Sequence, residues 1–199
     1  SGEVRYVAGG AGSPVYGVAY YDLTVASGTL TLDAPVTVAN DLSVAGTVAL
    51  AGNDIDATGG VGITGTVTAS GVETITVGTN LTLGSGSTAP TIPGTVAFDV
   101  TGTTSIDVGA GNDLTTVTDT ANVFGGTVSV DSGNNVQIAS GSAFSILPTS
   151  VSGDFTATVT GGAALSVGAG SVAGNMTLTA DEIDFSGGAG SIGGSGSVT

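Results

Sequence analysis

A four-residue pattern recurs along the whole chain and constrains its fold more than any other feature. Each copy has a small residue, a large apolar residue, a short side chain that is usually Ser or Thr, and in most copies a second apolar residue. The copies are Asp22-Leu23-Thr24-Val25, Asp41-Leu42-Ser43-Val44, Gly62-Ile63-Thr64-Gly65, Asn80-Leu81-Thr82-Leu83, Ser105-Ile106-Asp107-Val108, Thr127-Val128-Ser129-Val130, Asp154-Phe155-Thr156-Ala157 and Asn175-Met176-Thr177-Leu178. Their first residues lie about 22 positions apart on average. A period of this length is typical of solenoids, in which each repeat packs on the next.

Alternation inside each copy indicates that the repeats are built from β-strands. Leu23 and Val25 fall on one face of a strand and Thr24 falls on the other. Glycine-rich turns such as Gly59-Gly60 separate the alternating segments, and no stretch has the apolar spacing of a helix. We therefore predict an all-β protein, a parallel β-solenoid (β-helix) of about eight rungs with about 22 residues per rung. A β-sandwich or jelly roll is the alternative fold.

Stacking of the rungs predicts columns of like residues. Equivalent positions in successive rungs lie about 4.8 Å apart, so the apolar positions form inward columns and the hydroxyl positions form outward ones. The outward positions predicted to form a hydroxyl ladder are Thr24, Ser43, Thr82, Ser129, Thr156 and Thr177.

Composition excludes several classes of function. The 199 residues include 16 Asp and Glu but one basic residue, Arg5, and no His or Cys, for a formal net charge of -15. Disulfides, thiolate metal sites and histidine-based catalysis are therefore excluded. A surface this acidic repels phosphate groups, so we expect no nucleic-acid partner. The apolar runs are far shorter than the roughly 20 residues that span a bilayer, so we expect no membrane insertion.

Uniform composition predicts a single domain, residues 1–199. Arg5 and the tyrosines cluster near the N-terminus, so we expect residues 1–19 to form a cap or a docking segment. A solenoid exposes unpaired strand edges and core at its ends. We therefore expect the C-terminal end to be covered by another protomer or by more of the same chain, in head-to-tail self-association.

Pairs of acidic residues offer the alternative of a carbohydrate-cleaving enzyme. Asp54 and Asp56 are two positions apart, as are Glu182 and Asp184, which places each pair on one strand face. Glycoside hydrolysis needs two carboxylates. The chain has no Trp and no Lys or His to help bind sugar. We therefore predict no enzyme activity and no catalytic residues.

A calcium site is the alternative interpretation of one glycine-rich turn. The segment Gly109-Ala110-Gly111-Asn112-Asp113-Leu114 partly matches the calcium-binding nonapeptide of β-rolls, but it is present in one copy. Asn112, Asp113 and, in a similar turn, Asp54 are the candidate Ca²⁺ ligands. Such sites need consecutive turns to complete the oxygen coordination. We therefore predict ordinary Asx turns and no bound cofactor.

Thr-x-Thr pairs suggest a second surface function, the binding of ice by a flat threonine array. The pairs are Thr29/Thr31, Thr66/Thr68, Thr74/Thr76, Thr101/Thr103 and Thr177/Thr179. Measured from the apolar residue of each copy, the pairs fall at different offsets. We therefore expect no common array and no ice binding.

Several segments resemble a family of bacterial proteins. Val4-Arg5-Tyr6-Val7-Ala8-Gly9, Tyr20-Tyr21-Asp22-Leu23-Thr24-Val25 and the stretch 178–188, which reads LTADEIDFSGG, carry the resemblance. They are similar to repeats of very large secreted surface proteins, the filamentous-haemagglutinin-like and other β-strand-repeat adhesins. The resemblance implies a right-handed solenoid at the bacterial cell surface or in the medium. It implies a stalk, fibre or adhesin that has no catalytic residues and whose partners are further copies or surface glycans. A carbohydrate-binding or carbohydrate-cleaving β-helix module is the alternative function.

Overall fold

The computed structural model describes residues 3–7, 13–15, 19–186 and 192–194. These residues form 26 strands and no helix. In chain order the strands are β1 (Glu3–Val7), β2 (Ser13–Val15), β3 (Ala19–Tyr20), β4 (Asp22–Ser27), β5 (Thr29–Leu32), β6 (Val36–Val38), β7 (Leu42–Val44), β8 (Thr47–Ala49), β9 (Ile55–Ala57), β10 (Val61–Ile63), β11 (Thr66–Thr68), β12 (Glu73–Val77), β13 (Leu81–Gly84), β14 (Val96–Val100), β15 (Thr104–Asp107), β16 (Leu114–Val117), β17 (Val123–Phe124), β18 (Thr127–Ser132), β19 (Val136–Ser140), β20 (Phe144–Leu147), β21 (Phe155–Val159), β22 (Ala164–Val167), β23 (Gly170–Ser171), β24 (Met176–Thr179), β25 (Glu182–Phe185) and β26 (Ile192–Gly193).

All strand pairs are parallel, and each strand pairs with its equivalents in the turns before and after it. The long sheet has ten strands in the order β1-β4-β7-β10-β13-β15-β18-β20-β22-β25. The second sheet is β11-β8-β5-β2, the third is β17-β14-β12-β9-β6-β3, the fourth is β16-β19-β21-β24, and β23 pairs with β26. The chain is therefore a β-solenoid of about eight turns, about 20 residues apart, which confirms the predicted fold class with a slightly shorter repeat.

The predicted register was wrong for some copies of the four-residue pattern. Val61, not Ile63, pairs with Leu42, and Thr104, not Ile106, pairs with Leu81. Because side chains alternate with a period of two, a shift of two residues keeps every apolar residue on the inward face, and the pattern alone cannot distinguish the two registers. The copies that begin at Asp154 and Asn175 lie on the fourth sheet rather than on the long sheet.

The predicted hydroxyl ladder consequently divides between two sheets. On the long sheet, Thr24, Ser43, Gly62, Thr82, Ser105 and Ser129 occupy successive positions of one outward column. Thr156 and Thr177 form a separate column on the fourth sheet, next to Gln137.

Strand pairing extends into the N-terminal segment. β1 pairs with β4, β2 with β5 and β3 with β6, all in parallel. The described parts of residues 3–20 therefore add one strand to each of the first three sheets.

The interior consists of columns of apolar residues, and one of these columns contains a hydroxyl group. Leu81 and Val128 are buried, and Thr104 occupies the position between them. The side chain of Thr104 is 2 % exposed, and its Oγ1 has no hydrogen-bond partner. A buried hydroxyl without a partner loses its hydrogen bonds to water and gains nothing in return.

Replacement of Thr104 by valine is therefore expected to stabilise the fold. Valine has the same shape and removes the unsatisfied group, so the free energy of unfolding should rise by about 1 to 2 kcal/mol. Urea denaturation measures the change. Thr24→Val, on the outward face of the same sheet, is the matched control and should change stability by less than about 0.5 kcal/mol. A destabilised Thr104→Val variant would contradict the prediction.

A break in the third sheet is bridged by one side chain. β14 pairs with β17 only through Asp99 and Val100, because residues 118–122 form a loop between β16 and β17. Asn122, at the end of this loop, is fully buried. Its Oδ1 accepts a hydrogen bond from Phe98 N at 2.7 Å, and its Nδ2 donates to Ala139 O at 3.0 Å. The amide side chain therefore replaces the peptide group that the loop removes from the ladder.

Candidate functional site

One open groove lies on the outer surface of the long sheet. It has a volume of about 360 Å³ and spans the turns that begin at β7, β10 and β13. Its floor includes Gly62, which stands in the outward column between Ser43 and Thr82. A Cβ at Gly62 would meet no atom within 4 Å, so the gap in the column is open space. Asp41 and Asn80 line the groove at the start of their strands.

Side chains at the start of these strands form an Asx ladder along the solenoid. Asp41 Oδ1 accepts a hydrogen bond from Gly60 N at 2.8 Å, in the next turn. Asn80 Oδ1 accepts one from Thr103 N at 2.9 Å, also one turn further. Each oxygen thus receives a backbone N–H group that the turn would otherwise leave unpaired. The groove therefore holds hydroxyl, amide and carboxylate groups but no basic group.

A second groove, of about 340 Å³, lies where the chain enters β18, β20 and β22. The buried rings of Phe124 and Phe144 contact each other with centroids 5.5 Å apart. Thr127, Ser145 and Ser166 lie in one column along the groove. The lining is apolar and hydroxylic, so this groove contains no group that could act as an acid or base.

The candidate calcium ligands take part in hydrogen bonds of the turns. Asp113 Oδ1 accepts from Asn135 N at 3.0 Å and from Asn134 Nδ2 at 2.9 Å. The backbone N–H of Asn135, followed by the side-chain amide of Asn134, holds the pKa of the Asp113 carboxyl below its usual range. Asn112 donates through Nδ2 to the backbone oxygens of Ser87 and Val108.

Asp54, the third candidate ligand, belongs to a different part of the solenoid. Its Oδ1 accepts from Thr74 N at 2.7 Å, whereas the partners of Asp113 are in the turns of the fourth sheet. The hydrogen bonds of Asp54 and Asp113 therefore do not bring the two carboxylates together. Among the residues that the structure describes, no group of three or more acidic side chains could hold a metal ion.

Chelation should accordingly have little effect on stability. Because Asp54 and Asp113 accept N–H groups of neighbouring turns, their structural role is fulfilled without a cation. We expect EDTA to leave the melting temperature nearly unchanged in differential scanning calorimetry, with excess Mg²⁺ or Ca²⁺ added back as the control. A fall of tens of degrees that Ca²⁺ reverses would show that calcium holds these turns together.

The paired acids of the sequence lie in two different settings. Asp56 is exposed in an outward column of the third sheet, between Thr37 and Thr76. Asp54 precedes β9, and its carboxylate accepts the hydrogen bond from Thr74 N described above. Glu182 and Asp184 are both exposed on β25, the last strand of the long sheet.

The threonine pairs are aligned more regularly than we predicted. Thr29, Thr47, Thr66 and Thr91 form one column on the second sheet, and Thr31 and Thr68 flank Ala49 in the next. The expectation of different offsets was wrong for these pairs. Val25 pairs with Val44 and Thr29 pairs with Thr47, although Thr29 lies one residue further from Val25 than Thr47 lies from Val44. Equivalent threonines therefore lie at different sequence distances from the apolar residue of their copy.

One buried carboxylate was not anticipated from the sequence. Glu73 is 2 % exposed at the start of β12. Its Oε1 accepts hydrogen bonds from Gly52 N at 2.9 Å and from Ser70 N at 2.8 Å, and its Oε2 accepts from Gly71 N at 3.1 Å. The carboxylate of Glu73 fills this group of N–H donors, and its place on the same strand face as Ile75 and Val77 is the sequence signal that could have shown its burial.

No family model matches the chain, and no curated protein or solved structure matches it. None of the described residues lies in a helix long and apolar enough to cross a membrane.

Proposed function

We propose that the protein is a structural, non-catalytic rod, a segment of an extracellular fibre, stalk or adhesin at the bacterial cell surface, and that it stacks end to end into a filament. The long sheet supports this proposal because it runs without interruption through ten parallel strands. A scaffold of stacked turns gives length and stiffness with few side-chain types.

The stacking proposal rests on the solvent exposure of the two apolar residues that continue the inward columns on β25. Ile183 and Phe185 occupy the positions that follow Leu165 and Val167, which are fully buried. Yet Ile183 is 38 % exposed and Phe185 is 40 % exposed. Among the described residues β25 pairs with one strand, β22, so its other edge can accept a further parallel strand. A second protomer added there would bury both apolar side chains.

A head-to-tail contact of this kind does not close on itself and so produces a filament. The net charge of -15 per chain opposes lateral association of the filaments. Salt screens that repulsion, whereas the apolar end contact does not depend on charge. Filament length is therefore expected to increase with protein concentration and to persist at high salt.

Sedimentation velocity and electron microscopy test the proposal. The 199-residue chain should form rods whose length grows with concentration. Phe185→Asp should shorten them by placing a charge in the contact. Leu147→Asp is the matched control, because Leu147 is 38 % exposed on the outer surface of the long sheet, away from β25. Removal of residues 1–19 should also shorten the rods if this segment docks on β25.

Two results would overturn the proposal. One is an intact chain that stays monomeric at high concentration and high salt. The other is a Phe185→Asp variant that assembles as well as Leu147→Asp, because both variants replace an exposed apolar residue by the same charge and only the first lies in the proposed contact.

A further inference from the structure

Asn80 differs from six other asparagines of the chain in how it uses its amide group. Its Oδ1 accepts from Thr103 N at 2.9 Å and from Thr103 Oγ1 at 3.0 Å, which fixes the side chain against the next turn. A Cβ on Gly102 would come within 2.6 Å of this oxygen, so glycine at 102 leaves the room that the contact needs. The oxygen of Asn80 therefore has a structural role.

The amide nitrogen of Asn80 has no such role. Its Nδ2 donates to no described residue, although the side chain is held in place. The asparagines whose Nδ2 does donate are Asn40, Asn53, Asn112, Asn122, Asn134 and Asn135. An aspartate would serve the ladder equally well, as Asp41 does toward Gly60. The ladder thus explains an oxygen at position 80 but not the nitrogen.

The space beside Asn80 is open. The side chain is exposed and lines the groove of about 360 Å³ on the long sheet. A Cβ on Gly62, in the floor of that groove, would meet nothing within 4 Å. A bulky group attached to the amide nitrogen would therefore have room beside the sheet without displacing the core.

The sequence around Asn80 is that of an acceptor for a sugar. Asn80-Leu81-Thr82 has the Asn-x-Thr form, in which a transferase attaches a glycan to the asparagine nitrogen. Leu81 is buried and anchors the strand, whereas Thr82 is exposed and its hydroxyl has no hydrogen bond to a described residue. The motif, the unused nitrogen and the open groove coincide at one residue.

We propose that Asn80 is a glycosylation site, at which a sugar is transferred from a phosphate-activated donor to Nδ2. The bond between Nδ2 and C1 of the sugar forms as the bond between C1 and the phosphate oxygen of the donor breaks. The phosphate leaves with the electron pair, and a base of the transferase takes one amide proton. Oδ1 keeps both hydrogen bonds to Thr103, so the Asx ladder is unchanged by the modification.

The test uses the folded 199-residue chain with a purified N-glycosyltransferase that recognises Asn-x-Thr and with its nucleotide-activated hexose. Cleavage before aspartate yields the fragment 56–98, which contains Asn80, and the fragment 154–180, which contains the second Asn-x-Thr motif at Asn175. Mass spectrometry should show the fragment 56–98 heavier by at least one hexose. An unfolded peptide of residues 76–86 is the positive control for the enzyme.

Matched variants separate the acceptor motif from the fold. Thr82→Ala and Asn80→Asp should abolish the added mass, and Asn80→Asp keeps the oxygen that the ladder needs. Thr82→Ser should retain it. Ser43→Ala removes a hydroxyl from the same outward column but lies outside the motif, so it should leave the modification unchanged. Circular dichroism should show the same strand signal for all four variants.

The proposal is overturned if the peptide 76–86 is modified while the folded chain is not, because the groove would then fail to present the amide nitrogen. Modification confined to Asn175 would overturn it as well. Neither result bears on end-to-end assembly, which depends on β25.

Discussion

Replacement of Asn122 by leucine is expected to lower the free energy of unfolding by roughly 2 to 6 kcal/mol, because two buried backbone groups would lose their partner. Phe98 N donates to Asn122 Oδ1, and Ala139 O accepts from Asn122 Nδ2. Leucine is similar in size, so the expected loss arises from the unsatisfied N–H and C=O groups rather than from a cavity. Urea denaturation measures it.

Two further variants identify the cause of that loss. Asn122→Asp keeps an oxygen for Phe98 N but places an oxygen or a buried charge opposite Ala139 O, so it should destabilise at neutral pH as strongly as leucine does. Asn134→Leu is the matched control. Asn134 also donates through Nδ2, but to the exposed carboxylate of Asp113, where water can replace it. The control should cost less than about 1 kcal/mol. Equal effects at positions 122 and 134 would contradict the bridging role.

The solenoid itself could be predicted because the alternating apolar pattern that specifies it recurs many times along the chain. Leu23 and Leu42 pair across adjacent turns, and Val25 pairs with Val44, as the recurring pattern requires. Burial of alternate residues over ten strands provides a strong signal even when single copies are irregular. The strand faces and the parallel stacking follow from that signal.

The register was harder to predict because the turns vary in length. Residues 85–94 contain two prolines, which usually mark a loop. In the structure Thr91 pairs with Thr66 and Ile92 is buried, so part of this segment continues the second sheet. A proline-rich stretch can still contribute a single bridge to a ladder, and no local pattern distinguishes it from a loop.

The roles of polar residues that serve the interior were hard to predict from the sequence. Asn122 ends a short polar loop and so resembles an ordinary surface residue, whereas Glu73 shares the inward face of β12 with Ile75 and Val77. Their roles depend on groups about 20 positions away, such as Phe98 and Gly52. The hydrogen bonds of Asp113 are likewise not local, because its Oδ1 accepts from Asn135 N and Asn134 Nδ2 in the next turn of the solenoid, whereas an Asx turn uses neighbouring backbone.

The candidate site also combines a feature that the sequence shows with features that only the structure shows. The Asn-x-Thr motif at Asn80 can be found in the sequence, but the unused Nδ2 cannot, because it depends on Thr103 in the next turn. The groove beside it depends on Gly62, whose place between Ser43 and Thr82 required the correct register.

Glu73 makes the stability of the solenoid sensitive to pH. Burial alone would raise the pKa of its carboxyl, but hydrogen bonds from the N–H groups of Ser70, Gly52 and Gly71 and from the Ser70 hydroxyl outweigh it and hold the pKa below its usual range. The ionised form is thus favoured in the folded chain. The carboxylate joins two successive turns of the solenoid, because Gly52 lies between β8 and β9 and Ser70 lies in the loop between β11 and β12.

Replacement of Glu73 by glutamine is expected to lower the free energy of unfolding at pH 7 by about 2 to 4 kcal/mol, since hydrogen bonds to a charged acceptor are stronger and the new NH₂ group would oppose an N–H donor. The folded pKa is depressed, so the contribution of the carboxylate is complete above the unfolded value of about 4.3 and is lost as pH falls through the folded value. The difference between Glu73 and Glu73→Gln should therefore shrink in urea titrations below pH 4. Asp56→Asn, at an exposed carboxylate on the neighbouring strand of the same sheet, should show almost no difference at either pH. A Glu73→Gln loss of stability that stays constant from pH 7 to pH 3 would mean that the charge of Glu73 is not what holds the two turns together.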